Sequence, residues 1–153
     1  MLATVQGLSL RQIKTKIMKR NATTVWNGSG KEGSGTISTQ STTLNNAQFS
    51  YNSRFAEGVG TNPEELLAGA HSGCYTMKFT FVLGGAGFPP EQVSTTCYIT
   101  LENGVVTKSE LNVTAKVPNI TNEQFQTLAE DARAGCLITK LYNCETTVTA
   151  TLA

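Results

Sequence analysis

The sequence predicts an α+β domain with antiparallel sheets, and three observations carry that prediction. Threonine occurs 23 times, and Thr, Val and Ile favour pleated surfaces. Several segments alternate apolar and polar residues with a period of two. Two stretches open with helix-start residues and continue with small or apolar residues at helical spacing. At 153 residues the chain is one domain's worth, long enough to bury a core without staples.

The elements follow in order. Ala22–Asn27, Ser34–Gln40 and Ala47–Asn52 read as three short strands, separated by Lys31–Gly35 and by Leu44-Asn45-Asn46. A loop follows at Glu57–Gly60. Thr61-Asn62-Pro63-Glu64-Glu65 then offers a cap, a proline at the first helical position and acids in the first turn. Pro63 at that position favours Asn62 as the cap. The helix runs to about Leu83, where Gly84, Gly85 and Gly87 stop it. Its small residues, Ala68, Gly69, Ala70, Ser72 and Gly73, predict a central helix approached closely on several sides. Val93 to Leu101 alternates as a long strand, Glu102-Asn103-Gly104 turns the chain, and Leu111 to Val117 alternates on the return. Thr121 and Gln124 form a second capping pair. Phe125, Leu128, Ala129 and Ala132 recur at helical spacing, and Leu137–Tyr142 reads as a short further helix. Cys144, Thr146, Val148, Ala150 and Leu152 mark a last strand. The predicted order is βββ-α-ββ-α-β, in one domain over residues 21–153.

Residues 1–20 differ from the rest. They hold Arg11, Lys14, Lys16, Lys19 and Arg20 and no acid, which leaves the body with 7 bases, 11 acids and a net charge of −4. The segment reads as a basic extension. A targeting or surface-binding role, an arm to a partner subunit, and a start upstream of Met18 are its possible meanings. No run approaches the ~18 apolar residues of a membrane span.

Composition excludes several function classes. The net charge is +1 and charged residues are 15% of the chain, which disfavours a general nucleic-acid binder. Aromatics at 7% are too few for stacking platforms along a single strand. One histidine and four widely spaced cysteines exclude a His-rich metal site and a paired-CxxC zinc knuckle. No metal and no bound cofactor is expected.

The cysteines divide by context. Cys97 and Cys144 share strand faces with apolar residues and read as core. Cys74 and Cys136 each follow a glycine, in SGC and AGC, which would leave the sulfur accessible. Cys74 lies on the helical stripe Glu64, Leu67, His71, Cys74, Lys78. Cys136 sits where a helix restarts, so free N–H groups would favour its thiolate. Spacing alone leaves open whether the two form a redox pair or are inert. A reducing, cytoplasmic setting is expected, since no secretory signal opens the chain.

At this point the residues carry a family likeness. The stretch RFAEGVGTNPEELLAGAHSGCYTM (residues 54–77) closely resembles the OsmC/Ohr thiol peroxidases. Further matches are VWNGSGKEGSGTIST (25–39), GGAGFPPEQVSTT (84–96) and KVPNITNEQFQTLAEDARAGCLI (116–138). The likeness covers roughly residues 22–152. It leans to the OsmC branch, because the Ohr branch usually has tyrosine where His71 stands. The resemblance implies an intertwined homodimer with sheets wrapped around two central helices. It implies reduction of organic hydroperoxides, and of hydrogen peroxide, at the expense of a dithiol or thioredoxin-like reductant. It assigns Cys74 as the peroxidatic and Cys136 as the resolving cysteine. It pairs Glu64 with an arginine, carried here onto Arg54. In the Ohr branch that arginine comes from the first hairpin, where this chain has Lys31 and Glu32.

The chemistry sets geometric expectations. A thiolate attacks a peroxide oxygen and becomes a sulfenic acid, and a second thiol condenses with it. That requires Cα atoms of Cys74 and Cys136 within about 7 Å. A cation should lower the attacking thiol's pKa, and a carboxylate should hold the cation. Glu64 and Cys74 are separated by about 15 Å along one helix. Either a long arginine bridges them or Glu64 serves a partner's Cys74, so the site is expected near a dimer interface. His71 reads first as a packed, hydrogen-bonded imidazole. Leu66, Leu67, Phe79, Phe81 and Phe88 are candidate walls of an apolar pocket, with core packing the default for each. The rival readings are a small-ligand binding module without enzymatic activity and a thiol redox sensor.

Overall fold

The computed structural model describes residues 17–153. The expectation of a basic extension lies mostly outside the described residues, although Ile17–Arg20 are exposed and without regular structure. The elements are β1 (Ala22–Asn27), β2 (Ser34–Thr39), β3 (Ala47–Ser50), α1 (Tyr51–Phe55), α2 (Pro63–Gly85), β4 (Gln92–Glu102), β5 (Val105–Lys116), α3 (Asn122–Gly135), α4 (Leu137–Leu141) and β6 (Glu145–Leu152). They form two three-stranded sheets, β1-β2-β3 and β4-β5-β6. No helix among the described residues is long and apolar enough to cross a membrane.

Local signals set most boundaries. Asn62 caps α2, its side chain accepting from the Glu65 N–H at 2.8 Å, with Pro63 at the first helical position. The helix ends in a Schellman pair, Gly87 N–H to Gly84 O at 3.1 Å and Phe88 N–H to Leu83 O at 2.9 Å. Thr121 and Gln124 close the expected capping box on α3. The β4–β5 hairpin turns on Asn103 and Gly104, whose φ values of 50° and 78° are both in the left-handed region that this Asn-Gly turn requires.

Two features differ from the sequence reading. The third strand stops at Ser50, which caps the one-turn helix α1 in a reciprocal box with Ser53. Strand propensity in Tyr51 lost there to side-chain capping. In addition, β6 pairs parallel to β5, with Leu111 opposite Val148 and Val113 opposite Ala150, so the second sheet is mixed. Helices α3 and α4 supply the crossover that a parallel return needs.

The core lies between α2, α3 and the second sheet. His71, Tyr75, Phe79 and Leu83 recur every fourth residue of α2 and are all fully buried, forming one face. Leu111, Val113 and Ala115 meet them from β5, and Phe125, Ala129 and Ala132 from α3. Phe79 stacks against Tyr75 and Phe125, with centroids 5.6 and 5.4 Å away. The Tyr75 hydroxyl donates to Ala129 O at 3.2 Å. Thr76 on α2 donates to Thr95 on β4 at 2.8 Å.

The other faces of α2 are less covered. Gly69, Ala70, Gly73, Met77 and Phe81 are exposed in the single chain, and a Cβ added at Gly69 or Gly73 would meet nothing within 4 Å. The helix is therefore packed on one side within one chain, not on several. The first sheet is also thinly covered, with Gly35 its only buried residue.

Candidate active site

Cys74 and Cys136 are brought together by the packing of α2 on α3. Cys74 lies midway along α2, and Cys136 lies between α3 and α4. Their sulfurs are 3.3 Å apart, and both are free thiols. The Cys136 thiol donates to Cys74 Sγ across that gap.

Their environments differ. Cys74 is half-buried and lines a cavity of about 180 Å³ with Met77, Lys78, Phe81, Gly135 and Leu137. Cys136 is fully buried within the core. The glycine before it does not expose its sulfur. That glycine instead makes room for Lys78, since a Cβ at Gly135 would sit 2.7 Å from Lys78 Cε. Burial pushes the Cys136 thiol up, but the backbone N–H and hydroxyl of Thr139, the Cys74 thiol and the Ile138 N–H together bring it below the usual range.

Arg54 and Glu64 form a second group. Ser53 ties α1 to the start of α2, its hydroxyl donating to Thr61 O at 2.9 Å and its carbonyl accepting from Asn62 Nδ2 at 3.0 Å. This brings Arg54 onto Glu64. Nη2 lies 2.7 Å from Oε1, and Nε lies 3.1 Å from both carboxylate oxygens. The Arg54 guanidinium holds the Glu64 carboxyl below its ordinary range, and Glu64 raises Arg54 in return. The guanidinium also lies 4.9 Å above the Phe55 ring. Ten residues of α2, about 15 Å, separate Glu64 from Cys74. One chain thus assembles two pairs, Arg54–Glu64 and Cys74–Cys136, and does not join them. Lys31 lies exposed in the β1–β2 turn.

The remaining sequence candidates scatter. His71 is the packed, hydrogen-bonded imidazole that was expected, 2.6 Å from Ser109 Oγ and 2.8 Å from Thr139 Oγ1. The proposed apolar pocket is not formed as a unit. Phe79 is core, Phe81 borders the Cys74 cavity, and Leu66, Leu67 and Phe88 line three separate hollows. Cys97 packs against the core. Cys144 does not join it, because it precedes β6 and sits in a hollow with Leu67 and Tyr142. Sequence reasoning gave no role to Lys78 or Thr139. Their signals were positional, four residues after Cys74 and three after Cys136, each one helical turn away.

Residues 56–151 match the model of a family described as OsmC-like protein. The chain is 37% identical over 127 residues to "Peroxiredoxin OsmC" of Escherichia coli K12, covering 80% of this chain and 89% of that protein. An organic hydroperoxide resistance protein from Elizabethkingia anophelis shares the fold, with a TM-score of 0.66 at 22% identity, over 91% of this chain and 98% of that one. So does an OsmC-like protein from Mycoplasma pneumoniae, with a TM-score of 0.71 at 12% identity, over 89% and 98% of the two chains. In sequence and in fold, this chain belongs to the OsmC-like family.

Proposed function

We propose that the chain is a thiol-dependent peroxidase that reduces organic hydroperoxides, and hydrogen peroxide, with Cys74 as the peroxidatic and Cys136 as the resolving residue. The observation that carries the reading is the sulfur pair, 3.3 Å apart, with one member facing a cavity and the other sealed in the core. The names of relatives, a peroxiredoxin and an organic hydroperoxide resistance protein, support the same reaction class.

The Cys74 thiolate attacks the distal, hydroxyl-bearing oxygen of the peroxide, the O–O bond breaks, and the alkoxide takes a proton and leaves as an alcohol. Cys74 becomes a sulfenic acid. Cys136 then attacks Cys74 Sγ, water leaves, and a disulfide forms. A dithiol or thioredoxin-like donor returns both thiols. That regeneration calls for a reducing compartment such as the cytoplasm. The catalytic domain spans residues 21–153, with residues 1–20 as a basic extension.

The working form in this reading is a homodimer. The open stripe of Gly69, Ala70, Gly73 and Met77 on α2 and the thinly covered first sheet suit a second copy. Glu64 would then hold Arg54 toward the partner's thiolate. In sedimentation, the native protein is expected at about twice the 16.3 kDa chain mass. Ala70→Arg should yield monomers with at least roughly tenfold lower peroxidase activity, about 1.4 kcal/mol of barrier. A monomer with full activity would remove the cross-subunit site.

The deciding experiment treats reduced protein with cumene hydroperoxide and counts thiols by mass. Two thiols per chain should disappear, and peptide mapping should recover them as a Cys74–Cys136 disulfide. Cys136→Ser should consume one equivalent of peroxide and stop with a sulfenic acid on Cys74. Unchanged thiols in the parent protein would overturn the reading.

A further inference from the structure

Once oxidised, the sulfur pair has to be reduced again, and its two members differ in how a second molecule can reach them. Cys136 is fully buried. Cys74 is half-buried and lines the cavity of about 180 Å³. Three walls of that cavity, Met77, Phe81 and Leu137, are 65%, 72% and 72% exposed, so it opens to solvent. Gly135 and Leu137, the neighbours of Cys136 in the chain, line it too, while Cys136 itself does not. The two sulfurs are 3.3 Å apart. A disulfide between them therefore shows one sulfur to the cavity and keeps the other behind its wall.

Lys78 is the one charged side chain lining this cavity. It follows Cys74 by one helical turn, and its stem crosses Gly135, where a Cβ would lie 2.7 Å from Lys78 Cε and 3.4 Å from Nζ. The side chain is half-buried and forms no ion pair among the described residues, whereas Arg54, Lys108 and Arg133 each hold a carboxylate. An ammonium partly withdrawn from water with no carboxylate beside it attracts an anion.

We propose that regeneration begins in this cavity, where the thiolate of the electron donor attacks Cys74 and not Cys136, and that Lys78 is a specificity-determining residue favouring a donor with negative charge beside its sulfur. The proposal rests on the peroxidase reading for its place in a cycle, but its chemistry needs only the disulfide. Access and the acidity of the leaving thiol decide which sulfur of a disulfide is attacked. Access selects Cys74. Burial raises the Cys136 thiol, yet hydrogen bonds more than offset that and bring it below its usual range, so Cys136 is a ready leaving group.

The step balances. The donor's first thiol loses its proton to solvent, and its sulfur bonds to Cys74 Sγ. The Cys74–Cys136 bond breaks, and its electron pair stays on Cys136, which takes up a proton. The donor's second thiolate then attacks the donor sulfur of the mixed disulfide. Cys74 leaves as a thiolate, and the donor leaves as its own disulfide. The protein gains two electrons and the dithiol loses two.

The test makes the Cys74–Cys136 disulfide with diamide, without any peroxide. Its reduction is then followed with three small thiols, the anionic 2-mercaptoethanesulfonate, the neutral 2-mercaptoethanol and the cationic cysteamine. After rapid acid quench, alkylation and peptide mapping, the probe should be found on Cys74 and the alkyl label on Cys136. At low salt, Lys78→Met should slow the anionic thiol at least about threefold relative to the neutral one and speed the cationic thiol by a similar factor. Comparing each thiol between parent and variant cancels its intrinsic reactivity. Concentrated salt should erase these differences, and Lys78→Arg should keep the parent's order of preference. An equal change for all three thiols, as loosened packing would give, removes the role of Lys78. A probe recovered on Cys136, or no disulfide to attack, would overturn entry at Cys74. The peroxidase reading fails separately. A probe on Cys74, in a protein whose thiols ignore cumene hydroperoxide, keeps this route of attack and removes the peroxidase.

Discussion

Cys74→Ser is expected to abolish hydroperoxide reduction, lowering the rate constant with cumene hydroperoxide by at least about three orders of magnitude, or ~4 kcal/mol of activation free energy. A serine hydroxyl does not ionise near neutral pH, and no general base stands beside it to compensate. The neighbours of Cys74 in its cavity are Met77, Lys78, Phe81, Gly135 and Leu137, and none of them is a carboxylate or an imidazole. Cys97→Ala and Cys144→Ala serve as controls. Cys97 packs beside the core and Cys144 sits in a separate hollow, so both variants should keep peroxide reduction within about twofold of the parent. Stopped-flow consumption of the peroxide under single-turnover conditions measures all three. Turnover persisting in Cys74→Ser would move the nucleophile elsewhere.

Phe79→Ala is expected to cost about 3–5 kcal/mol of stability, a large share of the ~5–15 kcal/mol that a domain of this kind holds. Phe79 is fully buried and touches two aromatic rings, Tyr75 from its own helix and Phe125 from α3. Removing the ring leaves a void that the sheet behind it cannot fill without moving. Urea unfolding at one fixed protein concentration should show a lower midpoint with an unchanged slope. A loss under about 1 kcal/mol would mean that the helices collapse onto each other more readily than close packing allows. The same variant should slow closure of the Cys74–Cys136 disulfide, because Phe79 and Phe125 set the approach of α2 to α3.

Much of this chain is legible one residue at a time. Asn62-Pro63, Thr121-x-x-Gln124 and Asn103-Gly104 each fix a local backbone geometry through a few atoms, and each does in the structure what its chemistry predicts. The failures have a common cause. Strand β6 alternates correctly, yet its direction relative to β5 depends on the crossover through α3 and not on its own residues. Cys144 alternates with Val148 and Ala150, but the strand begins one residue later, so alternation does not carry it inward. Tyr51 has strand propensity, and a Ser50–Ser53 box overrides it.

The candidate site divides along the same line. The α+β class, the helix caps and the hairpin turn were legible in the chain alone, and Cys74 and Cys136 stood out there as the candidates for chemistry. These rest on contacts between residues close in the chain, or on motifs shared with a family. The tertiary structure alone decided that the two sulfurs lie within 3.3 Å across a separation of 62 residues. It decided that one of them is sealed and the other open, that Arg54 closes on Glu64, and that His71 reaches Thr139. Each of these depends on how α2 packs against α3, α4 and the sheet. That packing is settled by the summed burial of side chains far apart in the chain, which no local pattern contains.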